Sequence, residues 1–373
     1  MSKLIIKPDN SPPVKYKTPV SSKLVRCIDY TVSSAVSCEK LVEFINPASR
    51  GASEFLKRSK NLAHKQATLY NPVMLKTIQH MGLKCVQLAN ETLSMLITQS
   101  VGPRIITLQL NAGENLFAQL PDTVIETPGM ESFHLWGGHR LWHAPEINTR
   151  TYLPDNLPVK IKQISDGLQV EQALETATGL QKTLKITLPD NSATVIVEHN
   201  VTNHGLWPVT CALWAITQMR PGGTAVLPQR TALSDKAGLQ PNRPLILWPY
   251  TDINNPHVTW GNKAILFTAN MTDGAFKVGF PNPHGWLAYH LNDTLFVKQA
   301  DYDTTAVYLD YGASTQVYCN SDFLELETLS PETTIEPGAT AVHRETWQLF
   351  PNIKKPTNEA AAVALAAKIG LSI

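Results

Sequence analysis

From Cys85 onward, apolar and polar side chains alternate in short runs, the period of strands with one face in a core. Cys85–Ala89, Leu93–Gln99 and Arg104–Leu110 open the series. Val159–Ile164 and Leu168–Ala173 flank Ser165-Asp166-Gly167, a hairpin signal. Leu184–Leu188, Thr194–Asn203, Val209–Thr217, Ala264–Ala269, Phe276–Phe280, Trp286–Leu291, Thr294–Gln299, Gln316–Cys319, Phe323–Thr328 and Val342–Leu349 continue it. Turn residues such as Asn203-His204-Gly205 and Asn292-Asp293 separate them. No strand–helix alternation and no glycine-rich phosphate loop is visible. The pattern predicts an all-β fold, a large antiparallel sandwich over residues 83–350.

Before residue 83 the pattern differs. Residues 1–80 carry 13 Lys+Arg against 5 Asp+Glu. Ser37 and Ser53 are helix caps for runs ending near Ile45 and Leu69. Asn71-Pro72 opens another helical turn that Gly82 closes. Residues 1–82 therefore read as a basic, partly helical or loosely ordered extension, packed on the main domain or reaching for an anionic partner. At the other end, the Ala-rich run Glu359–Ile369 before Gly370 predicts a short helix in a tail spanning 351–373.

Composition narrows the function classes. The 373 residues balance 32 basic against 31 acidic side chains, which gives no global reason to expect nucleic acid or an anionic membrane as partner. No apolar run approaches the ~20 residues of a membrane helix, and no signal peptide is visible. The five cysteines are widely spaced, with no CxxC, so neither a disulfide framework nor a zinc site follows. The expectation is a soluble, cytoplasmic protein without a cofactor.

Four stretches could carry chemistry. Trp136-Gly137-Gly138-His139-Arg140-Leu141-Trp142-His143-Ala144-Pro145-Glu146 combines hydrogen-bonding side chains with indoles that suit the C–H face of a sugar ring. Either it lines a ligand site, or it is a polar loop braced by its own hydrogen bonds. His139, His143 and Glu146 would share a metal only on a helix, and Gly137-Gly138 and Pro145 argue against one. In Phe323-Leu324-Glu325-Leu326-Glu327-Thr328, Glu325 and Glu327 fall on one strand face. Either that face is solvated, or one carboxylate has a raised pKa or a basic partner. The remaining two are Trp248-Pro249-Tyr250-Thr251-Asp252 and Trp214 within Ala212-Leu213-Trp214-Ala215; for both, a structural role competes with a functional one.

These motifs, with Gly102-Pro103-Arg104-Ile105 and Asn115-Leu116-Phe117, resemble a bacterial family of the galactose mutarotase-like (aldose 1-epimerase) superfamily over about residues 83–350. The resemblance implies a β-supersandwich with a sugar site in its concave face. It also implies a catalytic Glu near the C-terminus before a Pro-Gly turn. Glu327, followed by Glu336-Pro337-Gly338, matches that order, and Gly137-Gly138 match a segment lining the sugar site. The superfamily's mid-chain catalytic His falls close to Trp214, so that His is missing. The implied activity is anomer interconversion of a free sugar, with Glu327 as base and His139 or His143 as acid. The alternative is a carbohydrate-binding protein without turnover. Arg140, Trp136, Glu146, Trp214, Trp248, Asp252 and Glu325 are the expected substrate-binding residues, and Arg140, His143, Trp248, Asp252 and Glu327 are expected to converge on one pocket.

Overall fold

The computed structural model describes residues 75–111, 113–189 and 192–373. Two large sheets dominate it. The first, of 11 strands, runs in the order Lys76–His80, Leu83–Ala89, Leu93–Thr98, Ile105–Leu110, His139–Ala144, Val209–Met219, Leu324–Leu329, Thr315–Cys319, Phe276–Phe280 and Ile246–Leu247, with Thr333–Ile335 beside Val209–Met219. The second, of 10, is centred on Trp286–Leu291, Thr294–Ala300, Thr340–Phe350 and Thr194–Asn203. Every described strand pairing is antiparallel. Apolar residues from the inner faces of both sheets, among them Ile97, Leu213, Leu326, Phe296 and Trp347, form one main core. The fold is the all-β sandwich that the period-two pattern predicts.

The sheet begins ahead of residue 83. Lys76–His80 is a strand, not a helical turn, and pairs with Leu83–Ala89 through His80↔Leu83. Met81 and Gly82 carry φ of +50° and +75°, so this Gly serves a two-residue hairpin loop whose twist matches its strands. The expected helices near 37–45 and 53–69 lie outside the described residues. The tail helix forms over Glu359–Lys368, capped by the Asn358 side chain, and buries Ala362 and Ala366 against the second sheet. No helix among the described residues is long and apolar enough to cross a membrane.

The largest departure concerns the stretch around His139, for which no strand was expected and a polar loop was one reading. His139–Ala144 is a central strand buried at all six positions. One of its faces meets the second sheet. The other is partly covered by a separate hairpin, Gln119–Ile125 with Phe133–Gly137, whose Leu120, Phe133 and Leu135 pack on Trp142, Trp214 and Ile216. A strand buried on both faces need not alternate, which hid it from periodicity. Gly137 and Gly138 sit at φ +89° and +72°, and a Cβ on either would overlap the Ala118 or Ile105 carbonyl. Their close approach is to the chain's own backbone.

Candidate functional site

Register places Arg140, Ile216, Glu327 and Gln316 in one row across four neighbouring strands. Side chains alternate, so Trp142, Trp214, Gln218, Glu325, Tyr318 and Lys277 share that face, which we call the concave face. His139, Leu141, His143, Thr217, Leu326 and Thr328 point the other way, between the sheets. Glu325 and Glu327 are nearly or fully buried, so their face is not solvated.

Glu327 is the centre of the concave face. Its Oε2 accepts from Trp214 Nε1 at 2.7 Å and from Lys277 Nζ at 3.1 Å. Its Oε1 has no partner. The Lys277 ammonium lies 4.9 Å from the Trp214 ring centroid and 4.7 Å from that of Trp248. Trp214 meets Trp142 edge-on at 5.3 Å, and the Arg140 guanidinium lies 5.1 Å from the Trp142 ring. Trp248, Lys277, Trp214, Trp142 and Arg140 thus form one chain of contacts, each of its cation–indole contacts contributing ~0.5–2 kcal/mol depending on desolvation. Glu325 accepts from Gln218 Nε2 at 2.8 Å, and the Gln218 carbonyl oxygen accepts from Arg140. Arg140 keeps two unpartnered N–H groups and borders a cavity of about 10 Å³, room for one water, shared with Asp155, Gln172 and Lys182.

Burial and the neighbouring Glu327 charge push the Glu325 carboxyl up to about 7. Burial also raises Glu327, against the pull of Lys277 and the Trp214 hydrogen bond. Burial and then Arg104 bring Arg140 down to about 9. The basic partner on this strand face is Lys277, beside Glu327. Tyr250, half exposed, stands edge-on to Tyr318 on this face at 6.3 Å. Glu146 accepts from the Tyr152 hydroxyl at 2.5 Å.

The structure brings Arg140, Trp214, Trp248, Glu325, Glu327 and Glu146 together, and it does not bring the other four. His139 and His143 are separated from Glu327 by the sheet itself. His143 is fully buried with both ring nitrogens unpartnered, and burial, with Lys182 and Arg150, holds it down to about 2. Asp252 is exposed, and its carboxylate accepts the Asn254 N–H of its own turn. Trp136 stacks on His134 and packs with Leu83, Cys85, Val101 and Ile106. Sequence reasoning missed Lys277, Gln218, Gln316 and Tyr318. A lone Lys in Phe276-Lys277-Val278-Gly279-Phe280 and lone Gln residues in strands were the available signals.

Between the sheets lies a second polar cluster. Lys298 Nζ donates to the Ala215 and Leu326 carbonyls and to Thr217 Oγ1 at 2.9–3.1 Å, and forms an ion pair with Glu345 at 2.9 Å. His199 Nδ1 donates to the His343 carbonyl, so its Nε2 accepts from His139 Nε2 at 2.7 Å. His139 Nδ1 then accepts from Thr217, which leaves both rings neutral, in keeping with the low pKa that burial gives each. Donor atoms of His139, His199 and Glu345 lie within 4.8 Å of one another. This set does not fit a metal ion: the Lys298 ammonium already holds the cation position, and the two His are bonded to each other. The sequence spacing of His139, His143 and Glu146 fits no better, because four residues of strand put the two His ~13 Å apart.

No family model matches the chain, and no curated protein matches it. Solved structures do. A TPR-domain containing protein from Parabacteroides distasonis matches with a TM-score of 0.52 at 12% identity, over 74% of this chain and 49% of that one; the chain thus spans about half of that protein's length. Galactose mutarotase-like proteins from Lactobacillus casei and Clostridium acetobutylicum match at TM-scores of 0.45 and 0.41, with 10% identity each. They cover 71% and 75% of this chain and 100% and 99% of theirs. Galactose mutarotase-like and aldose 1-epimerase structures make up most of these neighbours. The likeness is one of fold. Chemistry on a shared fold rests on the site's own residues.

Proposed function

We propose that the protein binds a carbohydrate on its concave face. The observation that carries this reading is Glu327: one oxygen is fixed by Trp214 and Lys277, while the other is buried and unpartnered on a face walled by Trp142, Trp214 and Trp248. Such a group accepts a hydroxyl proton, and indole faces take the ring's C–H surface. Tyr250 and Tyr318 meet edge-on at 6.3 Å on the same face.

A second reading is anomer interconversion, favoured by the two carboxylates on one strand face, with Glu325 held at about 7. Glu327 takes the anomeric hydroxyl proton and Glu325, when protonated, hydrogen-bonds the ring oxygen; Glu325 replaces the histidine in the acid role because both candidate histidines face away. NMR titration with a panel of free aldoses tests binding, and magnetisation exchange between anomer signals tests turnover. Saturable shifts from wild type are expected. Glu327→Gln should lower catalysed exchange by ~10²–10⁴ if turnover occurs. Saturable binding without accelerated exchange leaves the binding reading alone, and no binding by any aldose removes both.

A further inference from the structure

Glu327 Oε1 is one of two unpartnered buried acceptors at the centre of the row. Its cross-strand neighbour Gln316 is also fully buried, and its amide orientation is fixed: Nε2 donates to Asp310 Oδ2 at 2.7 Å, so Oε1 is the free end. Burying an acceptor without a donor costs roughly 1–3 kcal/mol, and here two such atoms stand on adjacent strands of one face. The residue that fixes Gln316 sits in a turn of three left-handed residues, Asp310, Tyr311 and Gly312, at φ +50°, +58° and +95°. Left-handed backbone at two consecutive non-glycine residues is uncommon and is retained at the cost of local strain. It turns the Asp310 carboxylate toward the row.

Charge on this side of the face is uneven. Lys277 offsets Glu327. Asp310 and Glu146 have no Lys or Arg ion-pair partner among the described residues. Glu146 accepts from Tyr152, whose ring packs edge-on against Trp142 at 5.2 Å, toward the Arg140 end of the row. Arg140 lies at the far end of the row, beside Phe133 of the covering hairpin. The Asp310 end of the row therefore offers two unpartnered acceptors and an unpaired carboxylate, and Lys277 beside it is already paired with Glu327.

We infer that the ligand is an amino sugar, a 2-amino-2-deoxy aldose or a close isomer. Its ammonium donates to Gln316 Oε1 and is balanced by Asp310, while an adjacent hydroxyl donates to Glu327 Oε1. An amino sugar satisfies the two acceptors and also compensates the Asp310 charge, whereas a neutral aldose satisfies only the acceptors. A uronate would bring like charge against Asp310. This inference rests on the carbohydrate reading above and adds the class of sugar.

The test is calorimetric or NMR titration of the full chain with glucosamine, galactosamine, glucose, galactose and glucuronate, at a pH where the amines are protonated. At least one amino sugar should bind about tenfold more tightly than its neutral counterpart, the worth of one charge-assisted hydrogen bond. The preference should shrink with added salt. Asp310→Asn keeps an acceptor and tolerates the left-handed backbone, so it should fold normally. It should lose most of the amino-sugar preference, read as the ratio of amino-sugar to neutral-sugar affinity within the same variant. Equal affinity for amino and neutral sugars would overturn the inference and leave the carbohydrate reading standing. So would an Asp310→Asn protein that keeps the full preference. Failure of every sugar to bind would remove the carbohydrate reading and this inference with it.

Discussion

The same central strands build two buried polar clusters, one on each face, and the two are finished differently. Between the sheets, the cluster of Lys298, Glu345, Thr217, His139 and His199 leaves no buried side-chain nitrogen or oxygen unpartnered; His143, on the same side but outside that cluster, leaves both ring nitrogens so. On the concave face, Arg140, Glu327 and Gln316 each leave at least one. Alternate residues of one strand thus serve opposite ends: Leu326 gives its carbonyl to the closed network, and Glu327 holds the open one. A polar network that closes on itself fixes the packing of the two sheets, whereas one that stays open has capacity left for a ligand.

The strongest way to break this comparison is to delete the cation on each face. Lys298→Met leaves Glu345 buried and unpaired and removes the donor from two carbonyls, and it should cost ~3–5 kcal/mol in urea unfolding. Lys277→Met should cost about 2 kcal/mol, because Glu327 keeps the Trp214 hydrogen bond and its raised pKa lets it take a proton cheaply. Equal losses would put the concave cluster on the same structural footing as the inter-sheet one.

The faces should also respond oppositely to pH. Glu325 holds its proton up to about 7 in the fold and only to 4.5 as a free side chain. Its contribution is fully present below 4.5 and is lost as pH rises through about 7, by up to about 3 kcal/mol. His343, held down to about 3 by burial, acts the other way: stability falls as pH drops below 6.5 toward 3. Glu325→Gln should flatten the loss between 4.5 and 7 and leave the acid-side loss intact, as read by unfolding midpoints across pH. An unchanged profile would mean that Glu325 is ionised throughout.

Smaller effects sharpen the picture. Thr217→Val keeps shape but strands His139 Nδ1, and should cost about 1–3 kcal/mol in the same unfolding assay. Asp252→Asn should change stability by less than about 0.5 kcal/mol and leave sugar titrations unaltered, since its exposed carboxylate serves only its own turn. A loss of binding in that variant would return Asp252 to the site.

Most strands were legible because alternation survives wherever a strand has one face in the core. The shared face of Glu325 and Glu327 follows from parity alone. The strand His139–Ala144 was not legible, because burial on both faces erases alternation and Gly137-Gly138 and Pro145 imitate loop punctuation. Without that strand, the faces of His139 and Arg140 could not be told apart. The left-handed pair Met81-Gly82 was likewise read as a helix stop, because Gly marks both features.

The sequence by itself determined what depends on neighbours along the chain: strand periods, several hairpin turns, the capped tail helix, and two carboxylates on one side of one strand. The tertiary structure decided their partners. Lys277 meets Glu327 across 50 residues and Trp214 meets it across 113, through a strand order that no local pattern encodes. That order is set by how the two sheets bury their apolar faces together. The same long-range packing gave Lys298 to the closed network and left Glu327 Oε1 and Gln316 Oε1 unpartnered on the concave face.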